Sequence, residues 1–426
     1  MRRRGPRWLT AVLTAGIVVL VGGGPASAAP ARPTADPAAP TPTTPWSGLP
    51  PQGTAPDGST VGGGELDTRG TVVADGAPPV PEGIAASGWL VADAGSGEVL
   101  AARDPHGRYY PASTLKTLTL LTLVPRLDPA LVVPATAEDE NVEGSRVGIV
   151  QGGVYPVSLL FQALVLQSGN DAANALARTA GGVEVTVEAM NETAQALGAY
   201  DTVVGTPSGL DVAGQSSSPY DLALIFRALV EDPVTAAILT TPTAQMPPVT
   251  DRSPGYQIQN QNPLLTTYPG NLGGKTGFTD AARHTFVTAA ERDGRRLVVS
   301  VMDTENVPLR AADQAALLLD WGFAVPAGTA GVGRLIRPAD LVPTPSPTRT
   351  RAAPATPSPP AAAPTADQDG SPLVPAALAG GAALIVAMTL IGRRRAVRPV
   401  PPAGGPSAPA AATPPRSAGG STSTPP

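Results

Sequence analysis

Lysine is almost absent from this sequence. Of its 29 cationic side chains only Lys116 and Lys275 are lysines, and all the others are arginine. A preference for arginine would remove lysine wherever positive charge alone matters, so these two positions ask for something arginine cannot do. Arginine keeps its proton at any accessible pH, whereas a desolvated lysine near another cation drops to a pKa of about 7 to 8 and can serve as a general base. Lys116 closes the stretch Ser113-Thr114-Leu115-Lys116, and this spacing puts hydroxyl and amine on one face of a helix. A nucleophile needs its base within about 3 Å, and a helix N-terminus also offers N–H groups to a developing oxyanion. A capping serine followed by a surface lysine would read the same way. Here, however, Lys116 stands among Leu115, Leu118, Leu120 and Leu121, which is no solvated face.

Two later segments complete a set. Ser168-Gly169-Asn170 supplies a second hydroxyl and an amide; read alone, it is equally a turn with a helix cap at Asn170. Lys275-Thr276-Gly277 follows Gly273-Gly274. Lys275 and Thr276 offer donors to a carboxylate, and Gly277 lets a substrate lie close to a strand edge; alone, this is a hairpin turn with an exposed lysine. The order, with 55 residues from Ser113 to Ser168 and 105 from Asn170 to Lys275, is one that chance rarely assembles. The chemistry it would support is acyl transfer through Ser113. With no cysteine, a thiolate nucleophile and disulfides are excluded. With only His106 and His284, a histidine-rich zinc site or a Ser-His-Asp triad has little to draw on. His106 lies in the turn-like Asp104-Pro105-His106-Gly107 and reads as exposed, and His284 reads as a structural or rim residue.

Those residues need elements to hold them. Residues 88–102 are two apolar runs around a Gly-Ser-Gly turn, a hairpin signal. Residues 115–124 are too apolar for a surface helix and predict a buried one, stopped by Pro125. Helical patterns cover 157–167 and 171–179, which leaves 168–170 in the loop between them. A second hairpin, 285–290 with 297–302, turns at Asp293-Gly294, and a helix over about 310–321 is stopped by Gly322. Strands at both ends with helices between predict an α/β domain whose single antiparallel sheet is built from distant segments and flanked by helices.

Around that domain the composition changes. Much of the 51 Pro and 47 Gly falls in runs that cannot build a core. Residues 1–28 place four arginines before an apolar run and end on Ala26-Ser27-Ala28, the pattern of a cleaved signal peptide, with an uncleaved anchor as the alternative. Residues 29–81 read as a disordered Pro/Ala/Thr-rich lead-in, 82–325 as the folded domain and 326–372 as a Pro/Thr/Ala-rich linker. Residues 373–392 form an uncharged run of one membrane span, and arginines in 393–426 put that tail in the cytoplasm. The folded domain is then expected outside the cell on a single-pass tether; no Leu-Pro-x-Thr-Gly sorting signal precedes the span. Formal charge is -5, and since the nine arginines of the two ends have no acids beside them, the chain between carries about -14. Nucleic acid is excluded as a partner on that ground.

At this point the chain resembles the D-alanyl-D-alanine carboxypeptidases among the low-molecular-mass penicillin-binding proteins. The likeness covers residues 88–323 and extends past the three motifs to YYPAS (109–113), LVLQSGNDAANALA (164–177), MNETAQALGAYDT (190–202), PSGLD (207–211), SPYDLALIFRAL (218–229), NPLL (262–265) and LLLDWGF (317–323). The resemblance implies a penicillin-binding-protein/β-lactamase-like fold with a helical subdomain and removal of the terminal D-Ala from peptidoglycan stem peptides, with no cofactor or metal. It implies that Ser113 forms the acyl-enzyme, that Lys116 takes its proton, and that Ser168 and Asn170 relay protons and hold the substrate amide. Lys275 and Thr276 would face the terminal carboxylate, helped by Arg310, and the N–H groups of Ser113 and Phe278, next to Gly277, would form the oxyanion hole. β-Lactams would acylate the same serine. Two departures stand out: Ala282-Arg283 replaces the usual Ala-Gly, and a Pro-rich tether replaces the second, β-rich domain of many members. The rival readings are a class A-like β-lactamase, with Glu184, Glu188 or Glu192 activating water, and a non-catalytic wall-binding protein.

Overall fold

The computed structural model describes residues 52–341. The expected signal segment, the span 373–392 and the arginine-rich tail lie outside the described residues. In chain order the strands are β1 (Thr71–Val73), β2 (Gly88–Asp93), β3 (Glu98–Arg103), β4 (Val132–Pro134), β5 (Val154–Pro156), β6 (Thr243–Met246), β7 (Tyr256–Gln259), β8 (Asn271–Thr279), β9 (Arg283–Arg292), β10 (Arg295–Thr304) and β11 (Gly333–Arg334). The helices are α1 (Lys116–Leu123), α2 (Ala137–Glu140), α3 (Val157–Leu166), α4 (Asn170–Thr179), α5 (Val183–Leu197), α6 (Pro219–Glu231), α7 (Pro233–Leu239), α8 (Leu264–Thr267) and α9 (Ala311–Ala324).

Seven strands form one antiparallel sheet in the order β1-β3-β2-β10-β9-β8, with β11 also on β3. Side chains on a strand alternate between faces, and the sequence uses both. Trp89, Val91, Leu297, Val299 and Val301 pack against Leu318, Leu319 and Trp321 of α9. Their neighbours Leu90, Ala92, Val298 and Met302 join the larger core of α1, α3 to α6 and the loops around them. The sheet is thus covered on both faces, and β4–β5 and β6–β7 are separate two-stranded ribbons. Both predicted hairpins are present as β2–β3 and β9–β10. At the second turn Asp293 and Gly294 have φ of 51° and 77°, the paired positive values that a two-residue Asp-Gly turn supplies.

Three expectations fail. The folded body includes residues well before 82: Val61 and Leu66 are buried, β1 pairs with β3, and Trp321 Nε1 donates to the Pro78 carbonyl. It also runs past 325, since β11 pairs with β3 and Val332 and Leu335 are buried. These stretches are too poor in apolar residues to build a core, but the few they have are delivered to one that already exists. Gly322 does not stop α9, which continues to Ala324. A Cβ there would lie 2.8 Å from Leu297 Cδ1 and 2.9 Å from Val91 Cγ1, so the glycine serves close packing of helix on sheet.

Candidate active site

Tyr109 bridges to Ser217 in both directions through its backbone, and the chain then turns sharply at Ala112, whose φ of 47° lies in the left-handed region. Such a residue costs on the order of 1–3 kcal/mol and persists only where its surroundings hold it. The turn opens a short 3-10 helix, Ala112–Leu115, directly before α1. In a 3-10 turn residues three apart eclipse, so Ser113 lies over Lys116, and Lys116 Nζ is 3.0 Å from Ser113 Oγ. Lys116 is only 1% exposed, packed in the buried helix that its leucines predict.

The amine has two other contacts, Asn170 Oδ1 at 2.7 Å and the Ser208 carbonyl at 2.6 Å. Both are acceptors only. A neutral amine has two N–H bonds and one lone pair; donating the two to these oxygens leaves the lone pair for the hydroxyl proton of Ser113. Burial, reinforced by the positive charge of Lys275 and opposed by the carboxylate of Asp171, holds Lys116 well below the ordinary lysine range. The geometry therefore suits Lys116 to act as a general base toward the Ser113 hydroxyl.

The second and third segments meet the first. Asn170 is the first residue of α4, not a loop residue as the sequence suggested, and it reaches Lys116 from there. Ser168 adopts a φ of 59°, and its Oγ accepts from Lys275 Nζ at 2.9 Å. Lys275 also donates to the Thr276 carbonyl, and burial pulls its pKa down to about 7. A Cβ at Gly277 would lie 2.9 Å from the Ser113 nitrogen and 2.3 Å from Thr285 Oγ1, so only glycine lets β8 approach the nucleophile this closely. Thr285 ties β9 to the same place by donating to the Pro111 carbonyl at 2.9 Å. Phe278 follows, about half exposed (48%), its ring tilted against His284 at 4.5 Å and lying under the Arg283 guanidinium. Arg310 is exposed at the N-cap of α9 and joins none of the hydrogen bonds of this cluster.

Sequence reasoning missed Ser208 and Gly209 as parts of the site. A Cβ on Gly209, at φ 84°, would lie 1.9 Å from the Ala112 carbonyl oxygen, so the PSGLD loop presses on the nucleophile's turn while lending its carbonyl to Lys116. The loop is tied to the end of β8 by Thr279 Oγ1 donating to Asp211 at 2.9 Å. Its only signal in the sequence was the glycine within PSGLD. The departure at Arg283 is tolerated: it keeps a φ of 53°, a glycine-like conformation, while its guanidinium pairs with both carboxylate oxygens of Glu305 at 2.7 and 2.9 Å.

His106 is not exposed but 5% accessible, with Nδ1 at 2.9 Å from Asp201 and Nε2 at 3.1 Å from the Val61 carbonyl. Glu184, Glu188 and Glu192 are all exposed on α5, and none bonds to the Ser113–Lys116 cluster, so the β-lactamase reading has no water-activating carboxylate among them. Among the described residues no three His, Cys, Asp or Glu side chains are grouped to hold a metal ion.

A sheet covered on both faces, with a serine and a buried lysine at the start of its central helix, defines a serine-type acyl-transfer hydrolase of the penicillin-binding class. The sequence model of the D-alanyl-D-alanine carboxypeptidases, peptidase family S11, matches residues 74–306, and the chain belongs to that family. It is 48% identical over 256 residues to D-alanyl-D-alanine carboxypeptidase DacB2 of Mycobacterium tuberculosis, covering 59% of this chain and 86% of the relative. To DacA of Escherichia coli it is 35% identical over 260 residues, covering 58% of this chain and 62% of that one. Among solved structures, a D-alanyl-D-alanine carboxypeptidase of M. tuberculosis aligns with a TM-score of 0.58 at 45% identity, covering 62% of this chain and 99% of that one. The Streptomyces K15 DD-transpeptidase aligns at 0.55 and 26%, covering 58% and 100%. The activity is that of a serine-type D-Ala-D-Ala carboxypeptidase acting on peptidoglycan peptides.

Proposed function

We propose that Ser113 attacks the carbonyl of the penultimate D-Ala of a stem peptide while Lys116 takes the hydroxyl proton, forming a Ser113 ester and releasing D-Ala. Water then hydrolyses the ester. The observation that carries this is the arrangement of Lys116 Nζ: two carbonyl-type acceptors at 2.6 and 2.7 Å and the serine hydroxyl at 3.0 Å. Ser168 and Asn170 shuttle protons and hold the substrate amide, and Lys275 with Thr276 receives the terminal carboxylate. Gly277 admits the substrate along β8, and the N–H groups of Ser113 and Phe278 stabilise the oxyanion. Arg310, exposed at the N-cap of α9, assists in binding that carboxylate.

The enzyme works outside the cell, held to the membrane by one C-terminal span at 373–392, and penicillins acylate the same Ser113. The test is D-Ala release from a peptide ending in D-Ala-D-Ala, with Ser113→Ala alongside. The unchanged chain should release D-Ala and the variant none; equal release from both would remove Ser113 from the mechanism.

A further inference from the structure

Asn170 is oriented by the loop that precedes β5. Its backbone N–H donates to the Ser145 carbonyl at 2.7 Å and its side-chain amide to the Glu143 carbonyl at 2.8 Å. With Nδ2 so engaged, Oδ1 is left to face Lys116. A Cβ at Gly144, at φ 81°, would come within 2.7 Å of Nδ2, so the loop is moulded closely onto this side chain. Residues 142–153 form no helix or strand, and their buried backbone N–H groups need acceptors from elsewhere.

Asp171 supplies them. One carboxylate oxygen accepts from Val147 N at 2.9 Å and from Ala172 N at 2.9 Å; the other accepts from Gly148 N at 2.7 Å and Ile149 N at 3.1 Å. The carboxylate is fully buried, and the four hydrogen bonds it accepts all come from backbone N–H groups. A neutral amide of the same shape has one acceptor oxygen and would turn its NH2 group against one of the two pairs of N–H donors. Burying a carboxylate is costly, and these four N–H donors offset much of that cost. It also lies next to Asn170 in sequence, and its charge bears on the buried Lys116.

We infer that Asp171 is a positioning residue for acylation: by gathering the backbone of 147–149 it fixes Asn170 Oδ1 against Lys116 Nζ, and so keeps the lysine's lone pair on Ser113. The inference rests on the reading of Lys116 as the base. The charged groups that bear on Lys116 are Lys275 of β8 and Asp171 of α4; Asn170, Ser113 and the Ser208 carbonyl are neutral. Since Asp171 raises the proton affinity of Lys116, removing its charge lowers that affinity, and the acid limb of acylation moves to lower pH.

The experiment is stopped-flow acylation by a fluorescent penicillin across pH, with hydrogen exchange, on the full chain carrying Asp171→Asn. The expected result is a fall of about 10- to 100-fold in the maximal acylation rate, the scale on which an ångström of misplacement acts. Apparent affinity should change little, the acid limb should shift downward, and the amides of 147–149 should exchange faster. A folded variant with unchanged rate, or with a lowered rate but unmoved limb and undisturbed amides, overturns the inference and leaves the role of Lys116 standing, which a Lys116 variant tests separately. If Asp171→Asn does not fold, Tyr256→Phe carries the test. Tyr256 donates to the Val147 carbonyl and anchors the same loop without charge. That variant should acylate several-fold more slowly with its acid limb in place, and a normal rate would overturn the inference.

Discussion

Lys275 and Lys116 are both buried lysines, but they face different tasks. In the proposed mechanism Lys116 has to accept a proton, and its two acceptor contacts leave the lone pair of the neutral amine free for that purpose. Lys275, pulled to about 7 by burial, changes charge near neutral pH. Receiving a carboxylate requires the ammonium, so above that pH binding must take up a proton. KM for a peptide ending in free D-Ala should therefore rise by up to about tenfold per pH unit above 7, while kcat, which needs Lys116 neutral, does not fall. Steady-state kinetics with the free acid and with the same peptide amidated at its C-terminus check this; a flat KM for the free acid would contradict it. At this scale the site was largely legible, because an arginine-rich chain that retains two lysines marks them by chemistry. What stayed hidden was contributed by backbone. The Ser208 carbonyl and the space left by Gly209 carry no residue-type signature beyond one glycine, and Asp171 differs from any surface aspartate only in where the fold buries it.

Elements obey the periodic signals where one face decides them. The two hairpins and the buried α1 came directly from alternation and from an unbroken apolar run. Gly322 was misread because a glycine at a helix end and a glycine under a crossing strand look alike in sequence; only the packing of α9 on β2 and β10 separates them. His106 was misread for a related reason, since a turn-like sequence does not reveal that another segment covers it. That segment, residues 53 to 61, is fastened through the imidazole: Nε2 meets the Val61 carbonyl, while Asp201, which holds Nδ1, also accepts from Gly53 N and Arg108 Nε. Both ring nitrogens face acceptors, so the imidazolium alone satisfies both. Burial by itself would lower the His106 pKa, but the Asp201 hydrogen bond and charge, with Asp221 behind, hold it above the usual 6.5. A raised pKa means that this stabilisation is complete below about 6.5 and is lost as pH climbs through the folded-state value. Thermal melting should show Tm declining as pH rises above about 6.5 in the unchanged chain and not in His106→Gln. Parallel Tm profiles for the two would remove the histidine as the cause.

For the whole molecule, the composition rule that marked 29–81 and 326–372 as outside the fold fails where the structure describes those stretches, over 52–81 and 326–341. It measures whether a segment can build its own core, and neither can. It does not measure whether a segment can lend a few residues, such as Leu66 or Leu335, to a core built by others. The run 373–392 is a different case, being long, uncharged and followed at once by arginines. Deleting 373–392 should move carboxypeptidase activity from the membrane fraction to the soluble one with kcat unchanged. Activity that stays in the membrane fraction would mean that another part of the chain anchors it.

The central claim is that a neutral amine at 116 takes the proton of Ser113. Arginine there keeps the positive charge and most of the bulk but cannot become a base. Intact-mass measurement of penicillin acylation in Lys116→Arg, with a melting curve to confirm the fold, tests it most directly. The variant should fold and show no Ser113 adduct on the timescale of the unchanged enzyme; an adduct formed at a near-normal rate would rule out Lys116 as the base.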